Sequence, residues 1–378
     1  MNCSFCQMPE GPKNKQLTAD KVSICKTCAE RAHEILRERK KISRTGLLVP
    51  TDMKAELDRY VIGQEEAKRT LAVAAYNHYK RLGREATELV EITKSNVLIW
   101  GPSGSGKTYL IQTLATLLDV PFVTADATTL TKAGYIGEDV ESVLQLLLER
   151  ADGDIKKAER GIIYIDEVDK LASNGDRKDP GGRSVQEALL KMMEDRDVKL
   201  SIGSQLQPKT VTLNTKNILF IFGGAFVDMI DSKGNKEDKV VGFLRENKTT
   251  MKKKSPGHEE FIKYGLIPEF MGRIPIIAKL NPLLKEDLRD IMTKPKNAVV
   301  KQYQALFEMD GIALIFEDNA IDYIAEQALQ KKTGARGLKS IIESKMLEMM
   351  YEIPGKSEEK SLLVTLDMLV EEEMQTAN

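Results

Sequence analysis

The chain has 378 residues, 42% of them hydrophobic and 30% charged, with 56 Lys and Arg against 57 Asp and Glu for a formal net charge of -1. That length buries one or two sizeable cores, and the balanced charge excludes a global attraction to nucleic acid or to an anionic membrane. No apolar run approaches the ~18 residues of a membrane span and the N-terminus lacks the apolar segment of a signal peptide, so a cytoplasmic location is expected.

All four cysteines fall at the start, as Cys3-x-x-Cys6 and Cys25-x-x-Cys28. In a cytosolic chain this spacing argues for a four-thiolate zinc site rather than disulfides. The segment is too short for a hydrophobic core, so Zn²⁺ would supply its folding free energy. AERAHEILRERKKIS, which follows, has helical spacing and a basic end; His33 reads as a surface residue, because four thiolates already complete a tetrahedron. The expected units are a zinc-binding domain (1–40), a linker (41–54), a large α/β domain (55–281) and a small domain (282–378).

From residue 51 the pattern is α/β. Helices are expected over 55–61 and 64–84, then short apolar strands at SNVLIW (95–100), VPFVTAD (120–126), GIIYID (161–166) and NILFIFGG (217–224), with a helix over 138–151. Almost uniformly apolar strands alternating with helices predict a parallel sheet covered on both faces. Beyond about residue 282 the pattern is mainly helical (285–308 and 319–350), with small strands at 312–316 and 361–366.

GPSGSGKT is a complete phosphate loop, directly after a strand and opening a helix. Gly101, Pro102, Ser103, Gly104, Ser105 and Gly106 would bring backbone N–H groups to the phosphates of ATP, with Tyr109 following in the helix. Lys107 would neutralise the β- and γ-phosphates and the Thr108 hydroxyl would ligate Mg²⁺. In GIIYIDEVDK, Asp166 can hold the Mg²⁺ shell and Glu167 can deprotonate the attacking water, so hydrolysis and not mere binding is expected. Arg273 in GLIPEFMGRIP and Arg336 in KKTGARGLKS are either surface residues or arginines that reach a nucleotide. GYIGEDV, upstream of the acidic strand, reads either as a hairpin corner that buries Tyr135 or as an exposed loop whose aromatic touches another molecule. The NILFIFGG strand offers no polar residue at its end to sense a γ-phosphate.

With CSFC…CKTC, DRYVIGQEEAK, FGGAF and TGARGL, these motifs in this order resemble the ClpX family of hexameric AAA+ unfoldases, which feed a ClpP peptidase. The resemblance implies an AAA+ P-loop parallel sheet with a mainly helical small domain, preceded by the zinc module, and six copies in a ring. It implies that Val61 and Ile62 line the adenine pocket, that Arg273 reaches the neighbouring subunit's nucleotide and that Arg336 senses nucleotide in cis. Tyr135 and Ile136 would be the pore loop that grips a translocating polypeptide. Protein substrates and adaptors are the implied partners, with no membrane and no nucleic acid. The chain departs from the family at DRDVKLSIGSQLQPKTVTL, which lacks the usual basic, histidine-containing pore-entrance loop. Val241, Gly242 and Phe243 keep the peptidase-docking tripeptide within altered flanks. The competing readings are a remodeller that works without a peptidase and a nucleic-acid motor, the latter disfavoured by the neutral charge and by Tyr135 where a basic pore residue would stand.

Overall fold

The structure, a computed structural model, describes residues 2–9, 16–19, 22–29, 31, 47–83, 90, 92–131, 138–172, 180–202, 209–227, 229, 256–331, 333–352 and 361–370. Near the N-terminus β1 (Gln16–Ala19) and β2 (Val22–Cys25) pair antiparallel, and Cys25 closes the register opposite Gln16. The large domain then runs α1 (Pro50–Asp58), α2 (Glu65–Leu82), β3 (Val97–Trp100), α3 (Lys107–Leu118), β4 (Phe122–Asp126), the two-residue strands β5 (Leu130–Thr131) and β6 (Glu138–Asp139), and α4 (Ser142–Arg150). It continues with α5 (Ile155–Ala158), β7 (Ile162–Asp166), α6 (Pro180–Met193), β8 (Asp197–Ile202), β9 (Lys209–Asn214), β10 (Leu219–Gly224), α7 (His258–Tyr264), α8 (Pro268–Gly272) and β11 (Ile276–Lys279). The small domain comprises α9 (Lys285–Thr293), α10 (Val299–Met309), β12 (Ala313–Phe316), α11 (Asp318–Gln330), α12 (Ala335–Glu352) and β13 (Ser361–Val364).

Five strands form one sheet in the order β11-β3-β10-β7-β4, each pair parallel. β3, β7 and β10 are apolar on both faces because the two faces are covered by different helices. Alternation then assigns every side chain. Leu98, Trp100, Ile163, Ile165, Phe220 and Phe222 face one core with α4, α6, α7 and α8. Val97, Ile99, Ile162, Tyr164, Leu219 and Ile221 face the other, with α1, α2 and α3. A third core lies inside the small domain, built on Leu288, Phe307, Ile324 and Ile342. No described helix is long and apolar enough to cross a membrane.

Several sequence expectations change. The helix expected over 138–151 begins only at Ser142, because Glu138 and Asp139 pair with Leu130 and Thr131 as a short parallel bridge. The helix expected over 285–308 is two, α9 and α10, since Pro295 cannot continue the hydrogen-bond ladder. That over 319–350 also divides, at a turn whose Gly334 has φ +57°. β8 and β9 form a hairpin within the stretch read as a departure from the family, and β11 supplies the fifth strand, which no motif marked. Tyr135 and Ile136, and likewise Val241, Gly242 and Phe243, lie outside the described residues.

Candidate nucleotide site and zinc centre

The phosphate loop joins β3 to α3 at the C-terminal edge of the sheet, where parallel α/β sheets bind ligands. Its shape depends on glycine at two points. A Cβ on Gly101 (φ +152°) would lie 2.6 Å from the Leu280 carbonyl oxygen, and one on Gly104 (φ +73°) would lie 2.4 Å from the Thr333 carbonyl oxygen. Lys107 Nζ donates to the carbonyls of Gly101 (2.8 Å) and Pro102 (3.1 Å). Burial pulls the Lys107 ammonium below its ordinary pKa, with Asp166 and Asp169 acting in the opposite direction. A desolvated cation of this kind gains strongly from an anion brought into the site. Ser105 Oγ is buried with no hydrogen-bond partner among the described residues, an orphaned polar atom on the wall of the same cavity.

Asp166 ends β7 and Thr108 starts α3, and the Thr108 hydroxyl donates to Asp166 Oδ2 at 3.0 Å. These are the hard oxygen donors that Mg²⁺ takes, and few enough to leave room for phosphate and water. Glu167 follows in the left-handed region (φ +58°), and its N–H donates to Asp166 Oδ1 at 2.9 Å. Both line a cavity of about 600 Å³ between the large and small domains.

The sequence-predicted residues Val61, Ile62, Ser103, Gly104, Ser105, Gly106, Lys107, Thr108, Tyr109, Asp166, Glu167 and Arg336 all line this cavity. Gly101 and Pro102 stand behind it, holding Lys107 through their carbonyls. Arg273 does not line it. Its guanidinium sits on the surface, paired with Glu194 Oε1 at 3.1 Å, with its side chain 57% exposed.

Other residues at the site receive no role from the sequence. The backbone from Val61 to Gln64 is held by two buried side chains. Lys68 Nζ donates to the Val61 carbonyl (3.1 Å) and pairs with Asp58 and Glu65. Gln64 exchanges two hydrogen bonds with the main chain of Asn281 at the domain junction, 2.8 and 2.9 Å. Asn297, beyond the helix-breaking Pro295, bonds the Tyr109 hydroxyl (3.1 Å) across the domain boundary. Pro295 within a helical pattern was the one available signal for this wall. Asp169, almost fully buried, accepts from the Ala225 N–H just past β10 (3.2 Å). The absence of a polar side chain on β10 has a steric reason. A Cβ on Gly223 would fall 2.0 Å from the Tyr164 hydroxyl, and one on Gly224 2.4 Å from the Phe226 ring.

At the N-terminus the Sγ atoms of Cys3, Cys6, Cys25 and Cys28 lie within 4.8 Å of one another. The Cys6 and Cys25 sulfurs are 3.7 Å apart, too far for a disulfide and close to the ~3.8 Å edge of a tetrahedron with ~2.3 Å Zn–S bonds. The Cys25 N–H donates to Cys3 Sγ at 3.3 Å. Backbone hydrogen bonding, first from Cys6, draws the Cys3 thiol down to about 6, whereas the sulfurs of Cys6 and Cys25 push Cys28 up to about 12. Mutual repulsion of thiolates at this range is what a divalent cation relieves.

Three family models match separate stretches of the chain. One for the AAA domain (Cdc48 subfamily) matches residues 92–277, one for the C-terminal D2-small domain of ClpB matches 283–361, and one for the ClpX C4-type zinc finger matches 1–38. The ATP-dependent Clp protease ATP-binding subunit ClpX of Bacteroides thetaiotaomicron is 45% identical over 401 residues, covering 100% of this chain and 96% of that protein. The protein of the same name from Borrelia duttonii is 44% identical over 391 residues, covering 97% of this chain and 90% of its own length.

Proposed function

This chain belongs to the ClpX family of AAA+ ATPases, and on that basis we propose that it unfolds and threads protein substrates with the energy of ATP, as the ATP-binding partner of a ClpP-type peptidase. It hydrolyses ATP and has no peptidase activity of its own. The observation that carries the reading is the Thr108–Asp166 pair at 3.0 Å beside Glu167, on the wall of a cavity shared by the large and small domains.

In this reading Lys107 and the phosphate-loop N–H groups bind the β- and γ-phosphates. Thr108 and Asp166 would hold Mg²⁺, which would supply charge neutralisation on the phosphates. Glu167 accepts a proton from the attacking water. Val61 and Ile62 take the adenine, and Arg336, at the start of α12, faces the cavity from the small domain. Arg273, exposed and away from its own subunit's cavity, serves the nucleotide of a neighbour, which makes the working form a ring and by family resemblance a homohexamer. Tyr135 and Ile136 grip the substrate, and Val241, Gly242 and Phe243 dock the peptidase. Zn²⁺ on the four cysteines holds the N-terminal module that meets adaptors and substrates.

Glu167→Gln tests the assignment. The amide keeps the shape and the N–H to Asp166 but cannot accept a proton. ATP binding by equilibrium titration is expected to persist while steady-state turnover falls by about 10²-fold or more. Turnover at the normal rate would remove Glu167 from the base role.

A further inference from the structure

The side chain of Gln186 is completely buried in the large domain, yet both ends of its amide are used. Nε2 donates to the Leu171 carbonyl at 2.8 Å, and Oε1 accepts from the Ile267 N–H at 2.8 Å. Those two backbone groups belong to elements with opposite roles. Leu171 ends the tight turn Val168–Leu171 that begins directly after Glu167. Ile267 is the N-cap of α8, the five-residue helix whose C-cap is Arg273.

Pro268 opens α8, and the N–H of the N-cap residue Ile267 donates to Gln186 Oε1. A buried backbone donor or acceptor left unpaired is costly, and an apolar side chain here would orphan one group at each end. The rest of α6 is fitted to the same two elements. Near its start, Gly182 lies against the Leu171 turn so closely that a Cβ would come within 2.7 Å of the Leu171 carbonyl oxygen. Just past its end, Glu194 holds the Arg273 guanidinium at 3.1 Å. At the far end of α8, Phe270 and Met271 are fully buried, so the helix does not swing independently of this anchor.

We propose that Gln186 is a positioning residue for Arg273, tying the turn behind Glu167 in one subunit to the arginine that the same subunit delivers to its neighbour. The two hydrogen bonds oblige the turn and α8 to move with α6, so a shift at the hydrolysing site is carried to the arginine arm. This rests on the reading that Arg273 acts in trans.

Mixed rings separate the two claims. Glu167→Gln subunits keep the arginine and lack the base, and Arg273→Ala subunits keep the base and lack the arginine. Each is expected to be inactive as a uniform ring, and mixing them to restore ATP turnover at sites where a Glu167→Gln donor faces an Arg273→Ala acceptor. Failure to restore it overturns the trans reading and this inference with it. With restoration in hand, Gln186→Leu is placed in one partner at a time, and turnover is measured on rings isolated by size exclusion.

In the donor it should cut the restored turnover about tenfold or more with KM for ATP unchanged, because ångström misplacement of a catalytic group is costly. In the acceptor the loss should be below about threefold. Equal losses in both places, or none in the donor, would reduce Gln186 to a packing residue. Gln186→Glu in the donor gives a second readout that does not require the Leu variant to assemble. Its carboxylate accepts from Ile267 but opposes the Leu171 carbonyl until it is protonated. Turnover relative to the Gln186 donor at the same pH should therefore rise as pH falls, and a flat ratio would overturn the proposal.

Discussion

Lys94 lies below the sheet, at the end away from the nucleotide. Its Nζ donates to the carbonyls of Thr215 (2.8 Å) and Ile218 (3.4 Å) and stands 4.9 Å from the Phe220 ring centroid. Burial, reinforced by Arg81, brings its pKa down to about 7. An unfolded lysine titrates near 10.4, so between about pH 7 and 10.4 the unfolded chain binds more protons and stability rises with pH. Lys94→Met should remove that slope. The thermal midpoint of the native chain is expected to gain on the variant from about pH 7 to about pH 10, and a constant difference would contradict the assignment. Residues of this kind are invisible in the sequence, where Lys94 is one of many lysines. Lys107, Thr108, Asp166 and Glu167 were readable because motif spacing and strand ends place them without help from the rest of the fold. Gln64, Asp169 and Asn297 were not, because their partners lie on other elements, 217 residues away in the case of Gln64 and Asn281.

At the scale of elements, the strands of the sheet interior were readable because an apolar run bounded by polar residues has one favourable fate in a chain of this kind. Breaks within helices were harder, since periodicity continues across them while the backbone does not. The turn between α11 and α12 has a consequence for the nucleotide site. The Ala335 N–H donates to the Gly104 carbonyl at 3.1 Å, and a Cβ on Gly334 would stand 2.8 Å from that same oxygen. Glycine on each side thus lets the small domain rest on the phosphate loop, backbone against backbone. Gly334→Ala adds both this clash and strain at φ +57°. It should push the small domain off the loop and raise KM for ATP by about tenfold, the equivalent of 1.4 kcal/mol. Its thermal stability should fall only modestly, because the contact lies at a domain boundary and outside all three cores. A variant with native KM would show that the contact is dispensable for nucleotide binding.

For the whole molecule, the N-terminal module has little apolar core of its own. Among its described residues Phe5, Leu17 and Val22 are exposed, and the buried ones are chiefly Cys3, Ser23 and Cys25. Removing zinc with a chelator, or Cys25→Ser, should abolish amide-exchange protection across residues 2–29 and release one zinc per chain, detected by elemental analysis. The thermal midpoint of the nucleotide domain should stay in place, since its cores contain none of the module's described residues. A joint loss of both would mean that the module is integral to the larger fold. By itself the sequence determined the four-cysteine module, the parallel sheet and the family, and it carries the phosphate-loop and acid-pair spacing on which the proposed site rests. Each of these rests on local spacing, and local spacing survives without knowledge of the rest of the chain. Only the tertiary structure decided that the small domain closes one wall of the nucleotide cavity and that Arg273 lies away from it. It also decided that a single buried amide joins Leu171 to Ile267. Those facts depend on which distant backbone groups are left needing a partner once the sheet and its helices have packed, and that need has no counterpart in any short stretch of residues.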